Sequence, residues 1–168
     1  MNRYTVAVLV KNEFGVLNRV TSMFRRRQFN ISSLTVSETE TSELSRITVV
    51  FDGEEAIKQQ IVNQLYKLPD VCSIKEFHRD DSVSCELLLI KMKNEVSSRA
   101  DIYGAVNAFG AVTVDYAKDY MIFRLADTTR RIDDFINLMR DFTIMEICRT
   151  GSVSLEKGST TIRQIINL

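Results

Sequence analysis

Alternating and helix-spaced apolar positions divide the chain into regular elements. Tyr4–Lys11 alternates β-branched and other apolar side chains, which predicts a largely buried strand. From Val16 to Phe24 the apolar residues follow a helical spacing, which predicts an amphipathic helix. The further predicted elements are strands at Phe29–Val36, Leu44–Phe51 and Val71–Phe77 and a helix at Glu54–Leu68, which ends before Pro69. The order is strand–helix–strand–strand–helix–strand.

The second half of the chain repeats this order after a short polar break at residues 79–82. Its predicted strands are Cys85–Met92, Ala111–Tyr116, Tyr120–Leu125 and Thr143–Cys148, and its predicted helices are Ser97–Phe109 and Thr128–Arg140. Arg149–Leu168 is predicted to be a polar tail with a short apolar end. We therefore expect a first domain at residues 1–79, a second at 83–158 and a tail at 159–168.

Two βαββαβ units predict an α+β fold made of two tandem ferredoxin-like domains. Each domain would be an antiparallel sheet with its helices on one face. Strands such as Cys85–Met92 are apolar on both sides, so the other face of the sheet also needs cover. We expect helices or sheets of a partner to supply it, which predicts oligomerisation.

Composition narrows the classes of partner. Lys plus Arg and Asp plus Glu both number 22, and this neutral charge disfavours a nucleic-acid partner. The apolar run Val6–Val10 is too short to span a bilayer, and Met1–Thr5 does not resemble a signal peptide. Three widely spaced cysteines favour reduced thiols. We therefore expect a cytoplasmic protein with neither a nucleic-acid nor a membrane partner.

The sequence is also poor in catalytic chemistry. His78 is the single histidine, and the chain has no Cys-x-x-Cys pair, Walker A sequence or Gly-x-Gly-x-x-Gly. A histidine-based zinc site or a Cys/His nucleophile needs more partners than these. We therefore predict no catalytic residue and no metal ligand in this chain.

The segment Asn12-Glu13-Phe14-Gly15 joins the first strand to the first helix and is the candidate binding loop. The first amides of a helix lack partners and can hold a carboxylate. Gly15 would let a ligand approach the backbone, and Asn12 offers a donor and an acceptor for the charged groups of a free amino acid. Asn and Gly also form tight turns, and residue types alone favour that simpler interpretation.

Longer motifs resemble a known family. Residues 8–20 (VLVKNEFGVLNRV) resemble the opening of an ACT domain. Together with FNISSLTV at residues 29–36 and LSRIT at residues 44–48, they resemble the regulatory (small) subunit of acetohydroxyacid synthase, also called acetolactate synthase. Arg149-Thr150-Gly151 also matches the C-terminal unit of that family, although the sequence suggests no physical role for it.

The resemblance implies a regulatory function without an active site. Members of this family bind a catalytic subunit that carries thiamine diphosphate, Mg²⁺ and FAD, and they raise its activity. They also confer feedback inhibition by branched-chain amino acids, usually valine, with leucine and isoleucine as the other candidates. Their N-terminal ACT domains form a homodimer, and the effector binds at that interface.

The resemblance also implies the effector-binding residues. They are Asn12, Gly15, Val16, Leu17, Asn30, Ile31 and Ser37, of which Asn30 and Ile31 would be contributed by the neighbouring subunit from the second strand. Phe14 departs from the proline or small residue that is usual in this family, and Ser37 from the usual small residue. The Phe14 ring would either close over the pocket and tighten it, or fill the pocket and weaken binding.

Two other classes of function stay open. One is a free-standing ACT-type amino-acid sensor that regulates a different protein, such as a transcription factor. A helix-turn-helix would favour it, and the sequence offers none. The other is an enzyme in its own right, which the shortage of catalytic side chains disfavours.

Overall fold

The computed structural model describes residues 2–78 and 80–165 and contains two βαββαβ units. The first has β1 (Asn2–Lys11), α1 (Val16–Arg26), β2 (Ser33–Glu38), β3 (Leu44–Gly53), α2 (Glu55–Leu65) and β4 (Val71–Phe77). The second has β5 (Ser82–Lys93), α3 (Arg99–Phe109), β6 (Val112–Tyr116), β7 (Tyr120–Asp127), α4 (Thr129–Met139) and β8 (Ile144–Glu156). The predicted α+β fold with two tandem ferredoxin-like units is confirmed.

The first unit buries its core between the two helices and one face of the sheet. The strand order is β2-β3-β1-β4, and its pairs are antiparallel. The alternation in β1 places every second side chain on the helix side. The buried core residues are Val6, Val8 and Val10 of β1, Ile47, Val49 and Phe51 of β3, Val16, Val20, Met23 and Phe24 of α1, Ile61, Val62 and Leu65 of α2, and Ile74 of β4.

The opposite face of this sheet is buried as well. Ala7 and Leu9 lie on that face, and they are 0% and 3% exposed. Their cross-strand neighbours include Thr48 in β3 and Ser73 in β4, which are also buried. Both faces of the first sheet are therefore covered, as the apolar alternation of β1 requires.

The chain's own C-terminal segment makes contacts on this face. Arg46 donates to the Ser154 carbonyl, Lys75 forms an ion pair with Glu156, and Ser73 Oγ donates to the Ile162 carbonyl at 2.7 Å. The expectation that a partner alone supplies the cover is thus corrected for the first unit. The cation of Arg46 is withdrawn from water here, and this desolvation lowers the pKa of its guanidinium.

The predicted polar tail Arg149–Leu168 is wrong in its first half. β8 does not end at Cys148 but continues to Glu156, and a short 3₁₀ turn follows at Ile162–Gln164. The polar residues of β8 obscure the strand pattern in the sequence. In the structure, hydrogen bonds and ion pairs satisfy these residues. The chain forms two compact units. One contains the residues up to Val83 and those from Val153 onwards, and the other contains Ser84–Ser152.

The three predicted domain segments, 1–79, 83–158 and 159–168, stay a prediction. Arg79 and the final apolar residues 166–168 lie outside the described residues.

The second unit has the sheet order β6-β7-β5-β8. Its core residues are Leu88, Ile90 and Met92 of β5, Ile102, Ala105 and Val106 of α3, Met121, Phe123 and Leu125 of β7, and Ile132, Phe135, Ile136 and Met139 of α4.

One charged cluster lies in the second unit and involves the segment Arg149-Thr150-Gly151. Glu86, only 3% exposed, accepts from Arg149 Nε at 2.5 Å, and Arg149 Nη1 lies 2.8 Å from Asp133. The hydrogen bond to Glu86 raises the pKa of the Arg149 guanidinium. Thr150 Oγ1 accepts from the Leu87 amide at 3.0 Å, and Gly151 has φ +78°. This motif therefore neutralises a buried carboxylate, and its glycine takes a left-handed backbone conformation within β8.

No helix within residues 2–78 and 80–165 is long and apolar enough to cross a membrane. The same residues contain no group of three or more His, Cys, Asp and Glu side chains arranged to hold a metal ion.

Candidate functional site

The β1–α1 loop is fixed at its start by two backbone hydrogen bonds. The Lys11 amide donates to the Asp70 carbonyl at 2.9 Å, and the Asn12 amide donates to the Glu43 carbonyl at 2.8 Å. The first bond ties the loop to the start of β4, and the second ties it to residues 39–43, which we call the β2–β3 loop. The loop therefore starts from a defined position at one end of the sheet.

Gly15 completes the turn into α1 in the left-handed region, with φ +82° and ψ −4°. A Cβ built there would meet only Arg19 Nη1, at 3.8 Å. Space is therefore available, and the backbone conformation is what requires glycine. The turn interpretation is correct for Gly15, whereas Asn12 lies before the turn, and no side chain caps the helix.

The first turn of α1 leaves amide groups open. Gly15 provides no side-chain cap, and the turn contains no acidic residue. The Val16 amide makes one long bond, 3.3 Å, to the Glu13 carbonyl. In the described part of the chain, the Leu17 and Asn18 amides have no acceptor. These donors lie at the positive end of the helix dipole, which suits a carboxylate.

The Asn12 side chain has only one of its two functions free. Its Nδ2 donates to the Ser42 carbonyl at 2.8 Å and to Glu38 Oε1 at 3.2 Å, which uses both protons. No residue that the structure describes donates to its Oδ1. The predicted donor of Asn12 is thus occupied, and Oδ1 remains as an acceptor suited to an ammonium group. Glu38, which orients Asn12, was missed in the sequence.

The buried carboxylate of Asp70, whose backbone carbonyl bonds the Lys11 amide, is already neutralised. Asp70, whose side chain is 11% exposed, lies 2.6 Å from Arg19 Nε. Arg19 is on α1, one turn after Gly15, and its amide donates to the Gly15 carbonyl at 3.0 Å. The ion pair removes a negative charge that would repel an anion at the helix start.

The apolar residues of the loop differ in exposure. Val16 is buried in the core, whereas Leu17 is 42% exposed and the Phe14 side chain is fully exposed. Ser37 is also exposed, and it pairs with Arg46 at the same end of the sheet as Asn12. Asn12, Gly15, Val16, Leu17 and Ser37 therefore lie at one end.

Asn30 and Ile31 lie at the other end of the sheet. They precede β2, which begins at Ser33 and not at Phe29, so their predicted place in the second strand is wrong. Gln28 takes φ +57°, which turns the chain before the strand starts. Lys11 pairs with Leu44 of β3 and Ser33 with Val50, a separation of about 20 Å along the strand. One chain does not bring both groups of residues together.

The second unit contains a related loop that the sequence analysis overlooked. Lys93-Asn94-Glu95 repeats Lys11-Asn12-Glu13 and also follows the first strand of its unit. Asn94 Nδ2 donates to the Ala117 carbonyl at 2.7 Å, and its Oδ1 accepts from Arg99 Nε at 2.8 Å. Asn94 is buried, and both its Nδ2 and its Oδ1 are hydrogen-bonded, so this second copy lacks the free acceptor that Asn12 offers. The repeated Lys-Asn-Glu triplet is the feature of the sequence that could have identified this loop.

Two tandem ferredoxin-like units, the first with an open helix start beside an asparagine, are the architecture of an ACT-type domain followed by a second unit of the same topology. Residues 6–73 match the family model described as an AHAS small subunit-like ACT domain. Residues 85–158 match the model described as the small subunit of acetolactate synthase. The chain belongs to the acetolactate synthase small-subunit family.

Similar proteins cover nearly the whole chain. The probable acetolactate synthase small subunit of Archaeoglobus fulgidus is 40% identical over 157 residues, 94% of this chain and 98% of the relative. The acetolactate synthase small subunit of Mycolicibacterium smegmatis is 39% identical, covering 92% and 91%. The crystal structure of the small subunit from Thermotoga maritima has a TM-score of 0.87 at 31% identity, covering 95% and 100%. The resemblance seen in the sequence is confirmed.

Proposed function

We propose that this chain is the non-catalytic regulatory subunit of an acetolactate synthase. It would bind a catalytic subunit in the cytoplasm, raise its activity and make it sensitive to a branched-chain amino acid. The thiamine diphosphate, Mg²⁺ and FAD would all belong to the catalytic partner. The names of the relatives over nearly the full length support this assignment.

The sensor function is inferred from the β1–α1 loop, where one side chain offers an acceptor and the helix start offers donors. Asn12 Oδ1 accepts, while the unpartnered amides of Leu17 and Asn18 donate. An amino acid carries an ammonium group and a carboxylate on neighbouring atoms, so it complements this acceptor and these donors. The polar groups would fix the orientation of the ligand, and its apolar side chain would select the class.

A homodimer through β2 would complete the site. β2 is the edge strand of its sheet, so its outer hydrogen-bonding groups are available to a second strand. Two-fold antiparallel pairing of β2 with its copy about Val36 places Leu34 of one chain beside Glu38 of the other. Asn30 and Ile31 of the second copy then approach Asn12, which bonds Glu38. This arrangement accounts for the separation of the two groups of residues within one chain.

The effector of choice is valine, with leucine and isoleucine as close competitors. Ile31 and Leu17 are the partly exposed apolar residues of the two groups. A small branched side chain between them would lose its contact with water at little conformational cost. Inhibition would then equal the difference in valine affinity between the active and inactive states of the complex.

The test is acetolactate formation by the cognate catalytic subunit alone, with this chain, and with this chain plus valine. We expect stimulation by the chain and its reversal by valine. Stimulation without valine sensitivity would retain the subunit and overturn the sensor. No stimulation, combined with valine binding by the isolated chain, would favour a free-standing sensor of a different protein. Turnover of pyruvate by the chain alone would contradict a non-catalytic role.

A further inference from the structure

Residues 153–165, which we call the C-terminal strap, comprise the last residues of β8 and the segment after it. They belong to the first unit. The strap contacts the sheet face turned away from α1 and α2 at three places, through Arg46, Ser73 and Lys75. Ser73 and the strap residue Ser154 are 2% and 3% exposed. The strap is thus an integral part of the first unit, held by partly buried polar contacts.

The last contact of the strap reaches the β2–β3 loop. Arg163 Nε lies 3.1 Å from Glu40 Oε1, and Arg163 Nη2 donates to Thr41 Oγ1. Inside that loop, the Leu44 amide donates to the Thr41 carbonyl and the Thr39 amide to the Leu44 carbonyl, both at 3.0 Å. Arg163 therefore contacts a loop that its own hydrogen bonds close.

The same loop holds Asn12 from its other side. Asn12 donates from its amide to Glu43 and from Nδ2 to the Ser42 carbonyl. The bond to Ser42 occupies one Nδ2 proton, and the bond to Glu38 occupies the other. A displacement of the β2–β3 loop would release the first proton and loosen the orientation of Asn12.

We propose that Arg163 is a positioning residue for Asn12 in the β1–α1 loop. The strap holds the β2–β3 loop in place through Arg163, and that loop fixes the orientation of Asn12. The effect of Arg163 on effector affinity rests on the proposed function of the β1–α1 loop, whereas its effect on the β2–β3 loop does not. Side-chain exposures of 37% for Arg163 and 74% for Glu40 predict a modest effect, roughly two- to fivefold.

Hydrogen exchange of backbone amides tests the positioning without any ligand. In Arg163→Ala, we expect the Asn12, Thr39 and Leu44 amides to exchange roughly two- to fivefold faster than in the unmodified chain. The matched control is Lys157→Ala, which removes a strap cation that donates to the Asp80 carbonyl instead. Unchanged exchange in Arg163→Ala, or equal acceleration in both variants, would overturn the proposal.

A valine titration tests the effect on the effector. Arg163→Ala should weaken valine binding roughly two- to fivefold, and Lys157→Ala should leave it unchanged. The double variant Glu40→Arg with Arg163→Glu restores the ion pair in reverse and should recover affinity. Faster loop exchange with unchanged valine affinity would overturn the coupling to Asn12. If the unmodified chain itself binds no valine, the proposed function fails, while the exchange measurement still decides the role of Arg163.

Discussion

Asn12 and Asn94 show how the same residue acquires different chemistry from its neighbours. Each follows the first strand of its unit, and each donates from Nδ2 to a loop carbonyl. Arg99 then satisfies Asn94 Oδ1, whereas no described donor satisfies Asn12 Oδ1. The sequence shows both asparagines, but the difference between a structural and a binding role depends on side-chain contacts that it does not encode locally.

Replacing Asn12 should affect effector binding more than stability. In Asn12→Ala, a charge-assisted hydrogen bond and two contacts that hold the loop are lost, so valine affinity should fall about 10- to 100-fold. Stimulation of the catalytic subunit should persist. Isothermal titration with valine measures the first effect, and the acetolactate assay measures the second.

The control for this variant is Asn63→Ala. Asn63 is exposed on α2, where its Oδ1 accepts from the Gln59 side chain. Its replacement should leave both valine affinity and stimulation unchanged. Equal valine affinity in the Asn12 and Asn63 variants would remove Asn12 from the site.

Arg149 is a residue whose role follows from burial. It neutralises Glu86, which is almost fully buried, so Arg149→Met leaves an uncompensated carboxylate in the second unit. We expect a loss of about 2–3 kcal/mol in the free energy of unfolding, less than for a fully buried pair because Arg149 is partly exposed.

Urea denaturation measures this loss, and two further variants provide its controls. Arg130→Met, at an exposed position of α4, should change stability by less than about 0.5 kcal/mol. Adding Glu86→Gln to Arg149→Met should recover part of the loss. A loss in Arg149→Met no larger than in Arg130→Met would show that the cluster does not stabilise the unit.

At the scale of elements, apolar periodicity predicted β1, α1 and the order of both units because burial on one face repeats with the period of the element. It failed where polar contacts or backbone conformation decide. Phe29 and Ile31 look like strand residues, but Gln28 turns the chain and β2 begins at Ser33. β8 continues past Arg149 because ion pairs and hydrogen bonds satisfy its polar residues.

β2 is the element on which the proposed dimer depends, and its pairing identifies the groups that point outward. The Thr39 amide bonds the Leu44 carbonyl, so odd-numbered residues of β2 bond β3. The amide of Val36 therefore points to the free edge. Val36→Pro removes that donor while leaving the bonds to β3 intact, so it should weaken dimerisation about tenfold or more.

The matched control for the edge is Val36→Ala, which removes the side chain and keeps the amide. Sedimentation equilibrium of both variants and the unmodified chain gives the dimer dissociation constants. We expect the dissociation constant of Val36→Ala to stay close to that of the unmodified chain. Equal weakening in the two variants would mean that side-chain packing, and not strand pairing, holds the dimer.

At the scale of the whole molecule, no site residue acts alone. The open amides of α1, the oriented Asn12 and the distant Asn30 and Ile31 form one site only when two chains are paired as proposed. The family motifs could suggest these residues from the sequence. Under the proposed pairing, a dimer would bring together two groups that about 20 Å of β3 separates within one chain.

A mixture of two defective variants tests whether the valine site is shared between two chains. Asn12→Ala and Asn30→Ala homodimers each lack one residue in both sites, so each should bind valine at least tenfold more weakly. After subunit exchange, half of the dimers are mixed and each has one intact site, so about a quarter of the chains should regain full valine affinity in a calorimetric titration. A mixture that binds no better than its two components would contradict a site shared between two chains.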